Sequence, residues 1–295
     1  MKAAFLPDRG VVKVAGDDAR KFLNGLLTAD IGKVTPASPC FTALLTPQGK
    51  IIADFILAEA SPPDGGGFLL DCPRALAPGL VERLKFYKLR ARATVEDLSA
   101  DLGVMAIWDG NARPPTGLSY RDPRLPELGL RCMLAPDRAE PVRVGIGAEP
   151  AGPADYEAHR IALGVPSGGA DFAYGDAFPH EADMDQLHGI DFEKGCFIGQ
   201  EVVSRMEHRG IARTRVVPVA VAGAVAPGVA VTANGKPVGV MGSSSAGRAL
   251  ATLRLDRVDE ALVNGVPLLA GEIALRLVKP DWARFAFPGE PKAAS

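Results

Sequence analysis

The feature of this sequence that most restricts its fold is the interruption of its short apolar runs by glycine and proline. The 295 residues include 33 Gly and 25 Pro, and both residue types end helices and favour turns. Hydrophobic residues make up 47% of the chain and charged residues 23%, as in folded proteins with an apolar core. The pattern excludes an all-helical bundle and a disordered chain, and the length allows about two domains.

The charge balance and the cysteines restrict the possible function. Lys and Arg number 33 and Asp and Glu 35, which gives a net charge of −2 and argues against a protein built wholly around a polyanion. The sequence has no secretory signal pattern and no apolar run near the roughly 18 residues of a membrane span. The four cysteines form no CxxC pair, so we expect no resident metal. We therefore expect a cytoplasmic protein with free thiols and no membrane partner.

The first hundred residues alternate strand-like and helical patterns. Residues 19–27 carry apolar side chains at helical spacing, and the runs 40–46 and 51–58 flank a turn-forming segment at residues 47–50, which predicts a β-hairpin. A further helix is expected within residues 74–89. These elements indicate an α+β fold, with two helices packed on one side of a mainly antiparallel sheet.

The predicted secondary structure changes near residue 213, where short strand-like runs follow one another at near-regular intervals. Asn234-Gly235 lies between two of these runs and is typical of a type I′ hairpin turn. We expect a C-terminal small β-barrel over residues 213–288, preceded by an α+β region over residues 1–212 that contains two subdomains.

The segment most suited to chemistry surrounds Cys196. Val202, Val203 and Met206 are spaced to form a helix from Gln200 to Arg209, so Cys196 lies in the loop that enters this helix. We expect a thiol there to be activated by the positive end of the helix, by backbone N–H groups and by a neighbouring ammonium group. The groups that supply these effects are Gly195, Gly199 and Lys194.

A thiolate is both a nucleophile and a soft metal ligand, so Cys196 is the cysteine that we expect to react. The alternative is that Cys196 is a small buried hydrophobe, as free cysteines commonly are. Glu201 and Arg205 are four residues apart on the predicted helix, and we expect their side chains to form an ion pair.

A run of residues in this segment resembles the motif of the YgfZ/Iba57 family, whose members are folate-binding proteins related to the aminomethyltransferase (T-protein) of the glycine cleavage system. The motif is Lys194-Gly195-Cys196-Phe197-Ile198-Gly199-Gln200-Glu201, followed by Arg205. Supporting stretches in the family order are residues 22–30, 45–54, 87–90, 160–166 and 178–183. The resemblance implies a folate-binding α+β body of antiparallel sheets with helices, over residues 1–212, and a C-terminal β-barrel.

The resemblance also implies tetrahydrofolate as cofactor and Glu181 as the anchor of its pterin ring, because a carboxylate can accept both N3–H and the 2-amino group. Further folate contacts are expected from Arg205, Gln200, Tyr87 and Arg90. Without the resemblance, Glu181 is better explained as a cap or surface carboxylate. A metal-ligand interpretation has weak support from the spacing of His180, Glu181, Asp183, Asp185 and His188.

The function implied by the resemblance is an accessory protein that supports the assembly or repair of iron–sulfur clusters in client enzymes, using Cys196 with Lys194 as its activating cation. Its partners would be folate and iron–sulfur client or assembly proteins. Because a single cysteine cannot hold a cluster, another molecule would complete the ligand set.

Two alternatives remain open. One is a folate-dependent aminomethyltransferase with Asp54 as a catalytic group. The transferases typically carry two adjacent acidic residues, whereas Ala53-Asp54 retains one, so we do not expect an efficient enzyme. The other is a role linked to tRNA modification. The basic run between Arg205 and Arg215 contains no interleaved stacking aromatics, so we do not expect RNA as a partner.

Overall fold

The computed structural model describes residues 1–62, 65–210 and 212–290. The chain divides into two units. The first contains Met1–Tyr156 and Leu187–Gln200, and the second contains Glu157–Gln186 and the chain from Glu201 onward. This division differs from the boundary at residue 212 that we expected, because residues 157–186 group with the barrel. Among the described residues, no helix has the length and apolar character needed to cross a membrane.

The first unit is built around two five-stranded sheets. Its strands and helices are β1 (Lys2–Leu6), β2 (Arg9–Ala15), α1 (Ala19–Asn24), β3 (Cys40–Leu45), β4 (Ile51–Glu59), β5 (Phe68–Pro73), α2 (Ala77–Lys88), β6 (Thr94–Asp97), β7 (Gly103–Trp108), β8 (Leu118–Arg121), β9 (Leu130–Leu134), α3 (Ala139–Gly145) and β10 (Glu149–Pro150). The strand orders are β3-β4-β5-β2-β6 and β10-β1-β7-β9-β8.

The first of these sheets confirms the predicted hairpin and carries the two predicted helices. β3 and β4 pair in antiparallel register, with Phe41 opposite Ile56. Leu23 of α1 and Leu84 of α2 are fully buried in one core with Phe55 of the sheet, because each helix directs one apolar side toward the strands. This core supports the hairpin turn that approaches the Cys196 loop.

A buried network of charges joins the two sheets of the first unit. The Asp71 carboxylate accepts hydrogen bonds from Arg9 at 2.6 Å and Arg131 at 2.7 Å, and the Asp122 carboxylate accepts from Arg124 at 2.7 Å and Arg131 at 2.9 Å. Burial alone would raise the pKa of each aspartate. The facing guanidinium groups outweigh that cost and hold both pKa values below the usual range.

The second unit contains the closed barrel that was predicted. Two helices begin in the first unit and continue into the second, α4 (Pro153–Ala162) and α5 (Gln200–Arg209). The remaining elements are β11 (Thr214–Val221), β12 (Ala230–Ala233), β13 (Lys236–Ser245), β14 (Arg248–Arg254), α6 (Leu255–Val263), β15 (Leu268–Ala270) and β16 (Ile273–Leu277). The strand order β11-β14-β13-β12-β15-β16 closes through antiparallel pairing of β16 with β11. Asn234 and Gly235 have φ values of 48° and 72°, as a type I′ turn requires.

A buried carboxylate links the barrel to the segment before it in the second unit. Asp171 accepts hydrogen bonds from the backbone N–H and hydroxyl of Ser243 on β13, at 2.7 and 2.5 Å. Its other oxygen accepts from Arg160 of α4 at 2.8 Å and from the backbone of Ser167 at 2.9 Å. Four donors to one side chain explain how a carboxylate is retained in the interior.

Candidate functional site

The Cys196 loop is held at its start by an aspartate turn in the first unit. Asp191 accepts hydrogen bonds from the backbone N–H groups of Glu193 and Lys194, at 3.0 and 3.1 Å. The same carboxylate forms a 2.5 Å ion pair with Lys33, and the Asp191 backbone donates to the Thr28 carbonyl at 3.0 Å. These contacts fix the path of the chain five residues before Cys196.

Lys194 anchors the middle of the loop. Its Nζ donates to the backbone carbonyls of Asn24, Leu27 and Ala29 at 2.8, 2.6 and 2.7 Å, so each of its three N–H groups has an acceptor. The side chain is only 8% exposed, and this burial lowers the pKa of Lys194 to about 8. The sequence suggested an activating charge beside the thiol. The structure reveals an anchoring role that the sequence reasoning missed.

Gly199 holds the end of the loop against the predicted hairpin. It has φ +82°, and a Cβ built on it would lie 2.7 Å from the Thr46 carbonyl oxygen and 3.0 Å from Gly49 Cα. Only glycine allows this close approach of two backbones. Gly195, by contrast, has no positive φ and no atom within 4 Å of a built Cβ.

Cys196 is exposed, whereas Cys40 is half-buried and Cys72 and Cys132 are buried. Burial raises the pKa of each of these three other thiols to about 12. The interpretation of Cys196 as a small buried hydrophobe is therefore wrong. An accessible thiol on an anchored loop, four residues before α5, can act as a nucleophile or as a soft ligand.

Glu181 lies in the second unit and is half-buried. One of its carboxylate oxygens accepts a hydrogen bond from the Phe178 backbone N–H at 2.9 Å, so the side chain closes a local turn, as the alternative interpretation anticipated. A carboxylate has about four acceptor positions, and this one hydrogen bond leaves room for further donors.

The other predicted folate and catalytic residues fall in both units. Tyr87 packs partly against the core of the first unit and Arg90 is exposed. Asp54 is 9% exposed in β4, opposite Ala43, and Gln200 begins α5 at the last residue of the first unit. In the second unit, Arg205 forms the predicted ion pair with Glu201 at 2.6 Å.

The basic run between residues 205 and 215 is not one solvated face. The Arg215 guanidinium is buried, donates to Asp183 at 3.0 Å and to both oxygens of Asp185 at 2.8 Å, and lies 4.4 Å from the centre of the Phe285 ring. The side chain of Arg209 lies outside the described residues. The sequence missed this cluster because its partners are about 30 residues apart in the chain.

A possible metal-ligand group lies beside this cluster. Among the described residues, ligand atoms of His180, Asp185 and Glu207 lie within 4.8 Å of one another. His180 Nε2 is 3.1 Å from a Glu207 oxygen. Arg215 donates to both oxygens of Asp185, and a cation in this position would face that guanidinium charge, so the arrangement is better explained as an ion-pair network.

The barrel matches a known domain, and the whole chain matches a known fold. Residues 213–285 match the model of the CAF17 C-terminal beta-barrel domain. The crystal structure of glycine cleavage system aminomethyltransferase T from Bartonella henselae has a TM-score of 0.76 to this chain, with 17% identity, and the match covers 97% of this chain and 87% of that one. At this identity the likeness shows the fold alone, and it confirms the α+β architecture with a C-terminal barrel.

Curated relatives match across most of the chain. The iron-sulfur cluster assembly factor IBA57 homologue of Mycosarcoma maydis is 36% identical over 74% of this chain and 57% of its own length, and the Coccidioides immitis homologue is 31% identical over 72% and 55%. The chain thus spans little more than half the length of these two relatives. The Mus musculus protein is 31% identical, and the match covers 94% of this chain and 84% of the relative.

The names of these relatives correct one expectation. They are called mitochondrial proteins, so our expectation of a cytoplasmic location is wrong. That expectation rested on free thiols and on the missing secretory pattern, and neither observation distinguishes one reducing compartment from another. The identity and coverage of these matches, together with the motif around Cys196, show that the chain belongs to the IBA57 family of iron-sulfur cluster assembly factors.

Proposed function

We propose that this chain supports the assembly or repair of iron–sulfur clusters in client proteins, as a reduced-folate-binding protein with Cys196 as its reactive thiol. The observation that carries the proposal is the exposed Cys196 on a loop anchored by Asp191, Lys194 and Gly199. The relatives are named iron-sulfur cluster assembly factors, and this supports the same role.

The chemistry of a thiolate fits transient contact with iron or sulfur. Iron–sulfur clusters are held by several cysteine ligands, typically about four. The other cysteines of this chain are half-buried or buried, so a cluster or its fragment would be shared with a thiol or a cysteine of another molecule. Cys196 would then act in transfer and not in storage.

A substitution of the thiol tests this role. We expect Cys196→Ala to lower the activity of a client enzyme that needs a four-iron cluster, in cells that contain normal amounts of the variant and of the client polypeptide. Cys40→Ala, at a half-buried cysteine, is the matched control and should leave client activity unchanged. Client activity at the wild-type level with Cys196→Ala would contradict the proposal.

The proposed folate contact in the second unit is Glu181. One carboxylate oxygen is engaged by the Phe178 backbone, and the remaining acceptor positions fit the paired N–H donors of a pterin ring. Bound tetrahydrofolate would supply one-carbon or reductive chemistry. Arg205, Gln200, Tyr87 and Arg90 stay predictions as folate contacts, as does Asp54 as a catalytic group.

Calorimetric titration with tetrahydrofolate tests Glu181. Glu181→Gln keeps an oxygen acceptor for the Phe178 N–H but loses the charge and replaces the second acceptor with an amide NH2 group, which is a donor. Because charge-assisted hydrogen bonds contribute about 1.5–3 kcal/mol each, we expect affinity to fall by roughly 10- to 100-fold. Glu193→Gln, at an exposed carboxylate of the first unit, is the control. Equal affinities of wild type and Glu181→Gln would remove Glu181 from the site, and no binding by wild type would remove folate from the proposal.

A further inference from the structure

The C-terminal end of α2 exposes large apolar side chains that the proposed function does not use. Phe86 is 76% exposed and Leu89 is 86% exposed. The opposite side of the helix is fully engaged, because Leu80, Val81 and Leu84 are buried in the core of the first unit. Phe86 and Leu89 therefore project away from the core at the end of the helix.

The backbone at this end is held in an unfavourable conformation. Leu89, the residue that ends α2, has φ 47° and ψ −108°. A positive φ at the end of a helix normally calls for glycine, and in a leucine it costs about 1 kcal/mol or more. Strain of this kind is retained where the surrounding structure enforces it and is common at binding sites. Here it accompanies the exposure of Leu89.

Basic residues surround the two apolar side chains. They are Arg83, Lys85, Lys88 and Arg90, and none of them forms a salt bridge with a described residue. Glu82 is the single acidic residue between positions 79 and 95. The surface is thus apolar at its centre, positively charged around it, and complementary to a negatively charged partner. We call the set Arg83, Lys85, Phe86, Lys88 and Leu89 the α2 tip.

We propose that the α2 tip binds the surface of an anionic lipid bilayer, with Phe86 and Leu89 inserted at the acyl boundary and the cations against the headgroups. We expected no membrane partner because the sequence contains no spanning segment, but surface binding requires none. Lysine stems extend along apolar surface while their ammonium groups remain in the polar layer. The chemistry of the tip fits this environment.

Two other classes of partner fit less well. A stable protein interface buries about 1,200 Å² or more and is depleted in lysine, whereas two protruding side chains among lysines offer little area. Single-stranded nucleic acid is held by stacked aromatic rings. Leu89 cannot stack, and the Tyr87 ring is partly packed against the core.

Vesicle co-sedimentation with the purified chain tests the proposal. We expect binding to phosphatidylcholine vesicles that contain about 30% phosphatidylserine, and none to pure phosphatidylcholine, with a loss of binding as salt rises to about 0.5 M. Each basic residue near such a surface contributes about fivefold to partitioning, so Lys85→Gln with Lys88→Gln should lower binding about 25-fold. Phe86→Ser with Leu89→Ser should lower it at least about tenfold.

Matched variants elsewhere in the chain control for exposure and charge. Val263→Ser removes a 78% exposed apolar residue at the end of α6, beside acidic residues, and Lys21→Gln with Lys236→Gln removes two other exposed cations. Both should bind like wild type. A blue shift in the added emission of Phe86→Trp on anionic vesicles would show insertion.

Three outcomes would overturn the proposal. They are no binding of wild type to anionic vesicles at low salt, equal binding to neutral vesicles, and equal losses in the control variants. If wild type does not bind vesicles but binds a purified acidic protein through the same residues, the α2 tip is a protein interface instead.

Discussion

The reactivity of a cysteine depends on how much of it is ionised and on whether a reagent can reach it. We predict that iodoacetamide at about pH 8 will label Cys196 at least 100-fold faster than Cys40, Cys72 or Cys132. Cys196 is exposed, whereas burial raises the pKa of the other three thiols to about 12. At pH 8 such a thiol is ionised in about one molecule in ten thousand.

The labelling is followed by mass spectrometry of peptides from the native protein over time. Denatured protein is the control, because unfolding should bring all four cysteines to similar rates. Comparable labelling of Cys40 and Cys196 in the native protein would contradict the role that the structure gives to burial.

Replacement by alanine should affect stability differently at two glycines of the motif. Gly199→Ala places a Cβ against the Thr46 carbonyl at a positive φ, so we expect it to lower the free energy of unfolding by about 2 kcal/mol or more. Gly195→Ala meets no neighbouring atom and should change stability by less than about 0.5 kcal/mol. Urea titration measures both, and equal effects would exclude the close contact with the hairpin turn.

At the scale of elements, the sequence predicted the helices, hairpins and turns that are determined by residues close together in the chain. The hairpin at residues 40–59, helix α5 and the turn at Asn234-Gly235 were all predicted, because turn residues and apolar spacing act over a few positions. Helix α6 was missed although Val258, Ala261 and Leu262 have helical spacing, since the apolar run that precedes it was interpreted as strand. The short strand β10 could not be predicted, because it is defined by its pairing with β1 and has no pattern of its own.

The candidate site shows the same limit. The exposure of Cys196 and the Glu201–Arg205 pair follow from the loop and helix around them. The acceptors of Lys194 are carbonyls at residues 24, 27 and 29, about 165 positions earlier in the chain. No spacing rule connects positions that far apart, so only the folded chain reveals the anchor.

Asp171 is a central link between α4 and the barrel, and its replacement should be strongly destabilising. We predict that Asp171→Asn lowers the stability of the second unit by about 2–4 kcal/mol, because the buried Arg160 keeps only the partly exposed Glu157 as its anion and the amide turns a donor toward the Ser243 or Ser167 groups. Trp282 fluorescence reports on this unit, since its ring N–H donates to the Leu163 carbonyl.

Asp256→Asn is the matched control for this prediction. Asp256 pairs with Arg254 at 2.7 Å, but both side chains are more than a third exposed, so the expected change is below about 1 kcal/mol. Similar losses of stability from the two substitutions would show that the buried contacts of Asp171 stabilise the second unit no more than an exposed ion pair does.

At the scale of the whole molecule, each of the two units is stabilised by its own buried network of charged side chains. The first contains the network of Asp71 and Asp122 with buried arginines, and the second contains the Asp171 and Arg215 clusters. The division at residue 212 that we expected followed the change in sequence texture. It did not account for residues 157–186, whose side chains Arg160 and Asp171 are bonded to one another and to the barrel.

The network in the first unit should make that unit sensitive to acid. The pKa values of Asp71 and Asp122 are held below the usual range in the fold, so the unfolded chain takes up protons first as pH falls. The stabilisation is therefore complete above about pH 5 and is lost progressively at lower pH. Protonation in the fold would leave Arg131 and its neighbours buried without counter-charges, which is strongly destabilising.

We predict that Asp122→Asn lowers the stability of the first unit by about 3–5 kcal/mol at pH 7, and that the difference from wild type shrinks as pH falls below about 4. Fluorescence of Trp108, which is buried in this unit, follows its unfolding in urea at each pH. The difference in stability shrinks because wild type loses, at low pH, the ionic contribution that the variant already lacks. A difference that stays constant from neutral to acid pH would mean that Asp122 stabilises the fold through packing and not through its charge.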